Sequence, residues 1–121
     1  MEPMDVNGGR FYARPLRDDD AIALEQAMTS VASISAAQQE WLNDTAYSWA
    51  VCEQTNVNAV AIARYHDGNL EVAPVGDPER DLPNDPMLPP KKTRDGVAEG
   101  RAAIQRWIDG FLPLYQAEQA R

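Results

Sequence analysis

Residues 47–75 read YSWAVCEQTNVNAVAIARYHDGNLEVAPV, and the alternation inside this stretch decides the fold class. Tyr47, Trp49 and Val51 alternate with Ser48, Ala50 and Cys52, a period of two that sets aromatic and β-branched side chains on one face of a strand. Gln54-Thr55-Asn56 supplies a turn. From Val57 to Tyr65, Val60 and Ile62 oppose Ala59, Ala61 and Ala63, so both faces are apolar, as in a strand covered on both sides. His66-Asp67-Gly68-Asn69 then carries the Asp-Gly pair that accepts the positive φ of a tight hairpin, and Leu70 to Val75 returns as a further strand. The stretch predicts an antiparallel three-stranded meander.

On the N-terminal side, Phe11 to Leu16 reads as a fourth, short strand that lies at an edge or ends at Pro15, because proline has no amide to donate. Asp18-Asp19-Asp20 places caps and negative charge before a helix over Ala21 to Val31, where Leu24, Met28 and Val31 recur at helical spacing. Ser35 followed by Gln38 is a capping-box pattern for a second helix ending near Asn43-Asp44. Residues 1–9, ending in Gly8-Gly9, read as a flexible leader.

On the C-terminal side, residues 76–92 hold Pro78, Pro83, Pro86, Pro89 and Pro90 among Asp77, Glu79, Asp81 and Asp85. Such a composition supports neither a helix nor a central strand, so an acidic, proline-rich loop is expected. Thr93 or Asp95 caps a last helix in which Val97, Ile104, Trp107, Ile108, Phe111 and Tyr115 recur, with a kink or end at Pro113. The expected fold is α+β: an antiparallel three- to four-stranded sheet, two N-terminal helices and a C-terminal helix packed on it, in a single domain over 10–121.

The net charge of −8, from 19 acidic and 11 basic side chains, repels nucleic-acid phosphates and anionic lipid. Direct nucleic-acid and membrane binding are therefore not expected, and a basic protein partner is. The lone Cys52 excludes an internal disulfide, and the N-terminal residues lack the regions of a secretory signal, so the expected compartment is the cytoplasm.

The candidate chemistry is sparse. His66 is the one histidine and sits in the predicted hairpin turn, where a polar turn residue needs no catalytic explanation. Cys52 shows no activating cation nearby in sequence and reads as a packed strand residue. One histidine and one cysteine fall two ligands short of a structural zinc site, and the aspartate clusters lack the spacing of a calcium loop. Gly-rich phosphate loops, Gly-x-Ser-x-Gly elbows and paired cysteines are all missing from the sequence. No cofactor or metal is expected from these residues.

Phe11-Tyr12-Ala13-Arg14-Pro15-Leu16-Arg17-Asp18-Asp19-Asp20-Ala21 resembles the opening strand and helix of the GNAT-type N-acetyltransferases, and the helix, strand and hairpin that follow keep that family's order. The resemblance implies an acetyl-CoA site built by an Arg/Gln-x-x-Gly-x-Gly/Ala loop leading into a helix. At that place this chain has Asp77-Pro78-Glu79-Arg80-Asp81-Leu82-Pro83-Asn84-Asp85-Pro86, whose prolines and carboxylates oppose pyrophosphate binding.

The leading expectation is thus a non-enzymatic, acidic protein-binding module of the inhibitor or antagonist kind: an immunity protein, antitoxin or phage-encoded inhibitor. It would dock Asp77, Glu79, Asp81 and Asp85 on a basic surface, such as that of a nucleic-acid-binding protein whose ligand it mimics. The alternatives are a degenerate N-acetyltransferase-like protein and a subunit or chaperone of a larger assembly.

Overall fold

A computed structural model describes residues 1–83 and 86–121. Among these residues five strands form one antiparallel sheet in chain order: β1 (Val6–Gly8), β2 (Phe11–Pro15), β3 (Tyr47–Glu53), β4 (Ala59–His66) and β5 (Asn69–Pro74). Between β2 and β3 lie a 3-10 turn, Asp18–Asp20, and the helices α1 (Ala21–Gln26) and α2 (Ile34–Asn43). After β5 come α3 (Thr93–Gly110) and α4 (Leu112–Gln119), which begins where Pro113 occupies a first-turn position.

The meander forms as its pattern dictates. Asp67 at φ 50° and Gly68 at φ 80° make the tight turn, pairing His66 with Asn69 and carrying the register to Ala61 opposite Pro74. Between β3 and β4 the register shifts, with Val51 opposite Ala61 and Cys52 opposite Ala59. Val60 is the extra residue, and this bulge lets Val60 and Ala61 both join the core beneath α3.

The α+β class holds, with five strands in the sheet where three or four are expected. The added strand is β1: Val6, Asn7 and Gly8 pair with Ala13, Tyr12 and Phe11, within the stretch read as a flexible leader. Val6 is buried, and Met1 and Met4 pack against the core. The first helix is shorter than expected, since Ala27 is extended and Met28 is 95% exposed, whereas Val31 is buried from the following loop.

Two apolar clusters sit on opposite faces of the sheet. Beneath α3, Phe11, Val51 and Ile104 are fully buried, and Trp41, Tyr47, Trp49 and Trp107 meet in tilted and edge-to-face contacts with centroids 4.8–6.0 Å apart. On the other face Leu16, Val31, Ala37, Cys52 and Ile62 pack with side chains of α1 and α2. Gly96 and Gly100, one turn apart on α3, bring that helix close to the sheet. A Cβ at Gly100 would stand 2.7 Å from Val51 Cγ1, and one at Gly96 2.6 Å from Val60 Cγ2. Among the described residues no helix is long and apolar enough to cross a membrane.

Candidate functional site

The loop that leaves β5 determines what the start of α3 can do. Gly76 takes φ 75° and donates its amide to Gln26 O, which turns the chain off the sheet. Asp77 then folds the next residues onto itself: its Oδ1 accepts from the Glu79 amide at 2.9 Å and its carbonyl from the Arg80 amide at 3.1 Å. This turn directs two carbonyls at the first turn of α3. Arg94 N donates to Pro78 O at 2.9 Å and Thr93 N to Arg80 O at 3.0 Å. The Lys92 amide donates to Asp95 Oδ2 at 2.7 Å, and the amides of Asp95 and Gly96 return to Lys92 O. Each donor that opens the helix is therefore matched within the chain.

The charged side chains around this end pair with one another. Lys92 Nζ lies 2.9 Å from Asp81 Oδ1, Arg94 NH1 3.1 Å from Glu79 Oε1, and Lys91 Nζ 2.8 Å from Glu99 Oε2. The hydrogen bond from Lys92 holds the Asp81 carboxyl below the usual carboxylate range. The structure thus gathers Asp77, Glu79 and Asp81, three of the acidic residues singled out in the sequence, around the start of α3. Asp85 lies outside the described residues.

Beside this loop, a cleft of about 380 Å³ opens between α1, the β3–β4 turn and residues 75–83. Its floor carries a buried ion pair. Arg14 NH1 and NH2 grip Asp20 Oδ2 and Oδ1 at 2.7 and 2.8 Å, NH2 also donates to Val57 O at 3.2 Å, and Asp20 Oδ2 accepts the Arg17 amide. Burial disfavours the Asp20 carboxylate, but the bonds from Arg14 and Arg17 outweigh it and its pKa lies below the ordinary value. The same bond raises the pKa of Arg14.

A second polar cluster surrounds Glu71 on β5. Its Oε1 accepts from Thr29 Oγ1 and Ser30 N at 2.6 Å and from Ser30 Oγ at 2.8 Å, and Arg64 reaches Ser30 Oγ at 3.2 Å. These bonds overcome the cost of burial and depress the Glu71 pKa, which makes this carboxylate a poor proton acceptor. His66 stands beside the cluster, its Nδ1 3.0 Å from Thr45 O and its Nε2 3.1 Å from Asp67 Oδ2. Cys52 is fully buried, and burial pushes its thiol pKa up, the reverse of nucleophile activation. Among the described residues no group of three His, Cys, Asp or Glu side chains is placed to hold a metal ion.

The Arg14–Asp20 pair and the Glu71 cluster escaped the sequence reading. Asp20 reads there as one cap among three aspartates, and nothing in the spacing marks Arg14 as its partner.

Comparison with known proteins adds one finding. No protein-family model matches this chain, and no curated protein does. A solved structure from Vibrio cholerae, described as a “putative ribosomal-protein-serine acetyltransferase”, superposes with a TM-score of 0.59 at 19% identity, covering 88% of this chain and 68% of that one. The chain has an acetyltransferase-like fold. This likeness corrects the expectation of a non-enzymatic, inhibitor-type binding module and favours the acetyltransferase-like alternative. The missing glycine loop argues against that alternative in the sequence, but the backbone superposes over 88% of the chain with a different loop after β5.

Proposed function

We propose that this chain is a degenerate N-acetyltransferase-like protein, one that keeps the acetyltransferase scaffold and does not use acetyl-CoA. The fold likeness supports the class. The observation that carries the loss of coenzyme is the pairing of Thr93 N and Arg94 N with Arg80 O and Pro78 O.

A pyrophosphate binds a helix start through free backbone amides and the positive end of the helix dipole. Here those amides are already bonded, and freeing them would leave two carbonyls to be solvated or paired elsewhere. The cations that would complement the phosphates, Lys92 and Arg94, are held by Asp81 and Glu79. Further negative charge from Asp77 and Asp95 surrounds the position. The residues present do not fit the coenzyme, so no acetyl-transfer step is assigned to them.

Thermal denaturation of the full chain with and without acetyl-CoA tests this reading. A coenzyme present at about 100 times its dissociation constant would stabilise the fold by about 2.7 kcal/mol, which for a chain of this size is a rise of several degrees. No rise is expected. A rise of that size, accompanied by CoA release in the presence of an amine or hydroxyl acceptor, would overturn the proposal.

A further inference from the structure

The cleft over the Arg14–Asp20 pair has the dimensions of a small-molecule site, for which volumes run from about 300 to 1,000 Å³. Its ionisable lining balances with one exception. Asp20 is taken by Arg14, and Asp19 lies 3.5 Å from Arg17. Arg80 makes no ion pair among the described residues; its Nε has a long 3.4 Å contact to Thr93 Oγ1, and its side chain stands at the rim. Arg80 is thus the cleft's one lining cation without an ion pair among the described residues.

The floor itself is paired: Arg14, 95% buried, is held by both oxygens of Asp20 and by Val57 O. The mouth is apolar on both sides: Ile22 is 71% exposed and Val57 68% exposed, while Leu82 beneath them is buried.

We propose that this cleft binds a small organic carboxylate, its apolar body between Ile22 and Val57 and its oxygens toward the Arg80 guanidinium. Recognition by a charged guanidinium favours a carboxylate over a neutral amide of the same shape, because charge-assisted hydrogen bonds are roughly twice as strong as neutral ones. The inference does not rest on the acetyltransferase-like reading, since it asks nothing of the coenzyme.

The test is an amide-resolved NMR titration of the full chain with benzoate and, separately, with benzamide. Benzoate should give saturable shifts at Ile22, Asn56, Val57, Arg80 and Leu82, and benzamide should bind at least about fivefold more weakly. Arg80→Gln should abolish the preference for benzoate, while Arg94→Gln, which breaks a pair at the start of α3, should leave it intact. Equal response to both probes, no saturable shift in the cleft, or shifts confined to residues 91–95 would overturn the proposal. Because the benzamide comparison is made on the unaltered protein, the inference stays testable even if Arg80→Gln unfolds the chain.

Discussion

Replacing Gly100 with alanine pits helix propensity against packing in this core. On an exposed helix the change would stabilise by about 0.8–1 kcal/mol. Here the new Cβ would stand 2.7 and 2.8 Å from Val51 Cγ1 and Cγ2 and 3.3 Å from its Cβ. Carbon atoms prefer about 3.5–4.0 Å. Val51 is fully buried on β3, and its branched Cβ leaves it little rotamer freedom with which to withdraw. Overpacking of this kind costs about 1–3 kcal/mol, so the expected net effect of Gly100→Ala is a destabilisation of about 1 kcal/mol after the propensity gain is subtracted. Urea denaturation followed by tryptophan fluorescence should show a lower midpoint with an unchanged slope. The decisive arm is a double-mutant cycle with Val51→Ala, which removes both methyl groups in the way. In that background Gly100→Ala should be neutral or stabilising, giving a coupling of about 1 kcal/mol or more. A Gly100→Ala protein more stable than the parent, with no coupling to position 51, would refute the close approach of α3 to the sheet.

Other outcomes follow from the polar groups. Asp20→Asn should leave Arg14 as a buried charge without its counter-ion, costing about 3–5 kcal/mol, and a chemical-denaturation midpoint unchanged from the parent would contradict the buried pair. Because Asp20 and Glu71 have folded pKa values below their unfolded ones, their contribution is complete above the unfolded value of about 4 and is lost as pH falls through the folded values. Melting temperature measured downward from pH 5 should therefore fall, and fall less steeply in Glu71→Gln. Cys52 should resist an aromatic disulfide reagent in the native state and react fully once urea unfolds the chain, since its thiol is buried and its pKa raised; rapid native labelling would show that β3 opens.

The parts of the fold that could be read from the residues are those in which side chains do the specifying. The period of two in Tyr47–Val51 and the Asp67-Gly68 turn define β3 and the β4–β5 hairpin from sequence alone. Strand β1 escaped because three residues with one apolar side chain carry no periodicity, and its place is set by backbone pairing with Phe11–Ala13. The end of α1 was misplaced for the converse reason: Leu24, Met28 and Val31 have helical spacing, yet Val31 reaches the core from a loop and Met28 points into solvent. At the candidate sites, Asp95 as a helix cap was readable from its type and position. Arg14 with Asp20 was not, because a strand residue and a 3-10 residue six positions apart meet only through the turn between them.

The loop after β5 resolves the conflict between a sequence without a coenzyme motif and a backbone with an acetyltransferase-like order. Its composition predicts an acidic, proline-rich loop, and its backbone turns that loop onto the helix: the Asp77 turn aims Pro78 O and Arg80 O at the amides of Arg94 and Thr93. Arg80 gives its carbonyl to the helix start, its Nε lies 3.4 Å from Thr93 Oγ1, and its side chain lines the cleft together with Leu82. Residues 77–82 thus both close the start of α3 and form one wall of the cleft. The proposed loss of acetyl-CoA binding and the proposed gain of a carboxylate site therefore share one structural cause. A substitution that unfolds the Asp77 turn, such as Asp77→Ala, should weaken benzoate binding in the cleft while exposing the amides of Thr93 and Arg94 to faster hydrogen exchange. If exchange quickens and the cleft still binds unchanged, the two sites are independent and the loop does not couple them.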